Sequence, residues 1–195
     1  DYNNTLFCCK NWGLTAAMIN TGVVYGMNTE ETQLHDKLKT SFNYDRVFGT
    51  LINRFCVECV LGMPLTIYGD GQHRCGFTSL QRAINNIVPA VENREDFKSG
   101  ELNIINSFES VISVNKAAEN VRQCAGQLGF ETSISFIENP RREFVTARDR
   151  VFDKFSQNSD PSLDTEVLLE LIKKIVENKN GILADSILPV IKWLM

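Results

Sequence analysis

The stretch TAAMINTGVVYG, residues 15–26, decides how this chain is read. From Thr15 to Tyr25 the side chains are largely apolar or β-branched, and Gly26 closes the run. That is the pattern of a strand buried on both faces of a parallel sheet, so the reading predicts one continuous central strand. Parallel strands need crossover connections, and the text downstream supplies helices for them. Phe48, Leu51, Ile52, Phe55, Cys56, Cys59 and Val60 form a helical stripe ending at Gly62 and Pro64, with Thr50, Asn53, Arg54 and Glu58 on other faces. Leu65 to Tyr68 reads as a short strand entering the glycine turn GDGQHRCG, with Phe77 in an extended piece beyond it. Leu80, Ala83, Ile84, Ile87 and Val88 mark the next helix.

The same alternation continues. Glu101 to Ser107 predicts a strand, and Ser113 an N-cap for a helix carrying Val114, Ala117, Ala118, Val121, Ala125 and Leu128, which Gly129 ends. Ser133 to Ile137 is a further strand, and Val167, Leu168, Leu171, Ile172, Ile175 and Val176 outline a late helix capped by Ser162 or Asp164. Between Phe144 and Pro161 the polar text has no period and reads as loop with a short helical piece. The fold class is α/β.

Composition narrows the function. With 195 residues, 43% hydrophobic and 23% charged, the chain is that of a soluble globular protein. No run approaches the roughly 18 apolar residues of a membrane span. A net charge of −4 offers no basic surface for nucleic acid. The first ten residues carry no signal-peptide pattern, so no targeting segment is expected in this stretch, and the chain is expected to be soluble. Of six cysteines, Cys56, Cys59 and Cys124 fall at buried helical positions, and all six are expected to be reduced and structural. His35 and His73 are too dispersed for a zinc site, so no metal is expected. Neither a GxGxxG turn after an early strand nor a P-loop appears.

Three segments carry a resemblance: NTGVVYGMNTEETQLHDKL, then FNYDRVFGTLINRFCVECVLGMPLTIYGDG, and ENPRRE. Together they resemble the UDP-sulfoquinovose synthases, a group of extended short-chain dehydrogenases, closely over about the first 93 residues and in outline beyond. The resemblance implies the C-terminal part of an NAD(P)-binding Rossmann-type enzyme: late parallel strands plus a small α/β substrate-binding lobe. Residues 1–45 would end the Rossmann-type domain, and 46–195 would be mostly substrate-binding lobe with C-terminal helices. It implies an enzyme that uses NAD, held mainly by an N-terminal half, to convert UDP-glucose or a related UDP-sugar, with sulfite as co-substrate. A homo-oligomer is implied for the full-length form. The catalytic Tyr/Lys pair would lie upstream of Asp1, so no catalytic residue is expected here.

Residue by residue, Val24 stands at the family position beside the nicotinamide, and Thr21 where the family has a substrate-binding glutamine. Thr50, Asn53 and Arg54 stand on the nucleotide-sugar helix, where amide and guanidinium donors suit uracil and pyrophosphate oxygens. Thr66 and Tyr68 either meet the uridine or pack within their strand. Arg74 and Arg141 are the cations for the diphosphate. Relatives carry an arginine where this chain has Cys75, so Arg74 either substitutes through a shifted turn or points elsewhere. Three readings remain: part of such a synthase, a non-catalytic UDP-sugar-binding partner, or an epimerase or dehydratase of the same fold.

Overall fold

A computed structural model of the chain describes residues 2–38, 42–44, 49–138 and 162–178. In chain order its regular elements are α1 (Tyr2–Trp12), β1 (Ala16–Thr21), β2 (Val23–Tyr25), α2 (Leu51–Val60), β3 (Leu65–Tyr68), β4 (Arg74–Ser79), α3 (Leu80–Glu92), β5 (Leu102–Ser107), β6 (Ser110–Ser113), α4 (Val114–Gln127), β7 (Ile134–Ile137) and α5 (Thr165–Glu177). The α/β class is correct: β1 pairs with β5, β2 with β4 and β3 with β7, all parallel, while β6 joins β4 antiparallel.

The deciding stretch is not one strand. It breaks at Gly22 into β1 and β2, which belong to different sheets. Gly22 still donates its N–H to the Ser107 carbonyl at 3.2 Å, completing the β5 ladder. There the chain passes against β4 so closely that a Cβ on Gly22 would run into the Gly76 carbonyl oxygen. Nor is β1 buried on both faces, since Ala17, Asn20 and Thr21 are exposed. Helices α1 and α3 pack on the β1–β5 pair. Neither α1 nor β6 was expected from the sequence, and the loop expected between Phe144 and Pro161 lies outside the described residues.

The main core gathers around α2, which packs against α4, α5 and β3. Every residue from Ile52 to Val60 is buried, including Asn53, Arg54 and Glu58, which the helical stripe had placed on other faces. A helix enclosed all round must give its polar side chains internal partners, since an unpaired buried polar group costs about 1–3 kcal/mol. The caps follow the sequence: Ser113 Oγ accepts from Lys116 N at 3.2 Å, and Asp164, rather than Ser162, accepts from Glu166 N and Val167 N at 2.9 and 3.1 Å.

All six cysteines are free, and Cys56, Cys59 and Cys124 are buried. Burial raises all three thiols, Cys56 well above its ordinary value and Cys59 to about 12. A thiol whose pKa lies that high stays protonated and unreactive through the neutral range. A thiol-reactive disulfide reagent at pH 8 is therefore expected to leave Cys56 and Cys59 unmodified in the folded chain and to label both after denaturation. Labelling of either by mass spectrometry in native buffer would contradict this packing.

Candidate functional site

Strands β2 and β4 run side by side in the register Val23↔Phe77, Val24↔Thr78 and Tyr25↔Ser79, and so end together. The carboxyl ends of parallel strands are where α/β folds gather ligands. The first residue beyond β2, Gly26, turns with φ +110°, a conformation side chains resist. Its N–H donates to Asn53 Oδ1 of α2 at 3.2 Å. One residue earlier, the buried Tyr25 hydroxyl accepts from the Asp164 N–H at the start of α5 at 3.0 Å. The end of β2 is thus held from two helices, although only Asn53 had been expected as a site residue.

Beyond this end lies a cavity of about 390 Å³, lined by residues 26–30, the start of α3, and Glu166, Glu170 and Lys174 of α5. That falls within the roughly 300–1,000 Å³ range of small-ligand sites. Its loop wall is braced by Thr29 N to Thr32 Oγ1 at 2.8 Å, Glu30 N to Gln81 Oε1 at 2.7 Å, and Asn28 Nδ2 to Glu170 Oε1 at 3.3 Å. Hydrogen bonding from Thr29, and then from its own backbone N–H, holds the Glu31 carboxyl below its ordinary value. A second, more open polar hollow of about 690 Å³ lies beyond β5, between Arg82, Asn106, Glu109 and Asp164.

Arg54, Thr66 and Tyr68 come together, but on one another. Arg54 Nη2 donates to the Thr66 carbonyl at 2.8 Å, and its guanidinium lies 4.7 Å from the centroid of the Tyr68 ring. Glu58, one helical turn on, sits 3.8 Å from Arg54 Nε and accepts from the Thr66 N–H at 2.9 Å. Both backbone groups of Thr66 are therefore taken by α2, because β3 turns the N–H groups of Leu65 and Gly69 to the chain that includes β7. Glu58 was not expected here. Its spacing of four from Arg54 was the available signal.

At the start of α2, Thr50 is an N-cap with extended backbone and no side-chain cap bond, and no acidic residue follows in the first turn. Its Oγ1 is buried and has no hydrogen-bond partner among the described residues. The N–H groups of a helix start, next to such a hydroxyl, suit an anionic oxygen.

Arg74 Nη2 donates to the Val111 carbonyl of β6 at 2.9 Å, while Cys75 packs against the core. Thr21 ends β1 opposite Ser107, in a different sheet from Val24. Arg141 lies outside the described residues.

No family model matches the chain. Among proteins of known activity, the chloroplastic UDP-sulfoquinovose synthase of Spinacia oleracea is 34% identical over 199 residues, covering 99% of this chain and 40% of that protein. The UDP-sulfoquinovose synthase of Sulfolobus acidocaldarius is 36% identical over 188 residues, covering 93% of this chain and 47% of that one. The chain thus spans less than half the length of these relatives. Among solved structures, UDP-N-acetylglucosamine 4-epimerase from Methanobrevibacter ruminantium, in complex with UDP-N-acetylmuramic acid, superposes with TM-score 0.61 at 17% identity, over 91% of this chain and 50% of that one. UDP-glucuronic acid 4-epimerase from Bacillus cereus, in complex with a UDP-sugar and NAD, superposes with TM-score 0.54 at 16% identity, over 89% and 50%. At these identities the likeness is one of fold.

Proposed function

Because the chain is a relative of the UDP-sulfoquinovose synthases over nearly its whole length and has the fold of UDP-sugar epimerases, we propose that it forms the nucleotide-sugar-binding part of an NAD-dependent enzyme of UDP-sulfoquinovose synthase type. The observation that carries this reading is the match to the Spinacia oleracea synthase along 99% of the chain. The start of α2 supports it, with a Thr50 hydroxyl that has no partner among the described residues and a first turn free of acidic residues. We assign Thr50, Asn53, Thr66, Tyr68 and Arg141 to the UDP end and Thr21 to the sugar end. Arg54 acts by holding Thr66 and Tyr68 in place. Arg74 is kept for the diphosphate only through a change of partner from Val111.

The residues present fit one end of NAD. Val24, just before the end of a parallel pair, suits the nicotinamide. Among the described residues, no glycine turn between a strand and a helix is shaped for a pyrophosphate: Gly22 abuts β4, and the Gly69–Gly71 turn leads into a strand. When bound, NAD would take a hydride from the sugar and return it. The Tyr/Lys pair and most of the NAD site are assigned to the part of the relatives that this chain does not match. Residues 1–45 then end the dinucleotide-binding sheet, and 46–195 are mostly substrate lobe, with β5 returning to pair with β1. Sulfite as co-substrate, a homo-oligomeric full-length form and a soluble plastid-like or cytoplasmic setting belong to the same proposal.

Titration calorimetry with UDP and UDP-glucose tests the binding role. The chain is expected to bind both and, alone, to convert no UDP-glucose with NAD and sulfite. Thr50→Val removes a hydroxyl with no partner among the described residues, so stability should stay within about 0.5 kcal/mol. Loss of a hydrogen bond to a charged oxygen should nevertheless weaken UDP about tenfold or more. Absence of binding heat, or equal affinity in Thr50→Val, would overturn the assignment.

A further inference from the structure

The glycine turn between β3 and β4 is held by the first residues of a helix that begins some forty positions later. Gly69 and Gly71 have φ +72° and +67°. Gln72 N–H closes the turn on Asp70 Oδ1 at 3.0 Å. From α4, Val114 N–H donates to the His73 carbonyl at 3.2 Å, and Asn115 N–H to the Gly71 carbonyl at 3.0 Å. The Asn115 side chain adds Nδ2 to the Asp70 carbonyl at 3.0 Å. Helix-start N–H groups usually go to a cap or to water. Here they are used on the turn, while the Ser113 hydroxyl satisfies Lys116 N–H further in.

The fit is tight on the other side as well. A Cβ at Gly71 would collide with Asn115 Oδ1, lie 2.7 Å from Asn115 Cγ and 3.0 Å from Ile67 Cγ2. The held turn fixes where β4 begins, and with it the registers Arg74↔Ser113 and Cys75↔Ile112. A slip of one residue would exchange the two faces of β4, taking Arg74 off the Val111 carbonyl and Cys75 out of the core.

We propose that Asn115 is a positioning residue for the UDP end of the site, acting through the Tyr68 and Arg74 side chains. It fixes the turn that joins the Tyr68 end of β3 to the Arg74–Cys75 start of β4, and so fixes which of those two side chains faces outward. The inference rests on the nucleotide-sugar reading for its ligand.

Amide spectra with hydrogen exchange, together with UDP calorimetry, test it on the full chain. Asn115→Ala removes the Nδ2 bond, and Asn115→Asp keeps the shape without the donor. In both, the Gly69 and Gly71 amide signals should move and exchange across residues 69–73 should quicken about tenfold, with α2 and α5 unchanged. UDP affinity should fall about tenfold. Gly71→Ala should have the same effects, and combining it with Asn115→Ala should add little, because both act through one contact. If wild type binds UDP and both Asn115 variants bind it equally well, or if exchange in the turn is unchanged, the positioning role is overturned. If wild type itself binds no UDP, the nucleotide-sugar reading fails and takes the ligand side of this inference with it.

Discussion

Replacing Gly22 with alanine is expected to destabilise the fold by about 3 kcal/mol or more, at the upper end of what overpacking costs. The added methyl would meet the Gly76 carbonyl oxygen head-on, and would stand 2.6 Å from the Gly76 carbonyl carbon and 2.9 Å from the Phe77 nitrogen. All three are backbone atoms of β4, which has no freedom to retreat. β2 holds it on one edge and β6 on the other, and the Phe77 side chain is fully buried in the core. Gly22 cannot retreat either, because its N–H is bonded to Ser107 and its neighbours are committed to two different sheets. Urea denaturation followed by far-ultraviolet circular dichroism measures the loss. An unfolding free energy matching wild type to within about 0.5 kcal/mol would mean that β1 and β2 do not cross β4 as described.

That crossing marks where the sequence stops being informative. Period and capping residues located α2, α4, α5 and the β3-turn-β4 unit, because each shows its buried face or its cap within a dozen residues. The TAAMINTGVVYG run shows only that it is extended and largely apolar. Its partition between two sheets depends on which strands arrive beside it, and β5 lies so far along the chain that the Asn20–Asn106 side-chain pair joins residues 86 positions apart. Helix α1 went unassigned because YNNTLFCCKNW mixes apolar and polar residues with little periodicity. Strand β6 is four residues long and ends at the cap of α4, so the cap alone was visible.

The candidate site divides along the same line. Residue types pointed to Arg54, Thr66 and Tyr68, and these do meet. A donor on a helix face satisfies a strand edge as readily as a ligand, however, and sequence does not say which is opposite. Neither the bond from Asp164 N–H to the Tyr25 hydroxyl nor the Asn115 grip on the turn has a local signature, since each joins elements brought together only by the fold.

Arg54→Ala separates the two roles an arginine can have here. Arg54 is 8% exposed and engages three groups at once: the Thr66 carbonyl, the Glu58 carboxylate and the Tyr68 ring. Truncation takes the cation from a carboxylate that is itself 9% exposed, takes a donor from a backbone carbonyl, and leaves a void beside Tyr68. Breaking a buried pair from one side costs about 3–5 kcal/mol, so a loss near 3 kcal/mol is expected even with Glu58 still bonded to Thr66 N–H. Arg54→Lys should recover only part of this, because an ammonium keeps the charge but not the planar fork that reaches Thr66 while lying over the ring. Replacing the pair together, as Arg54→Met with Glu58→Leu, should recover only part of the loss: the Arg54–Glu58 charges are both gone, but the Thr66 carbonyl and N–H lose their partners. If Arg54 were instead a ligand arm, Arg54→Ala would melt with wild type and lose only UDP affinity, and the clamp on β3 would have to be given up.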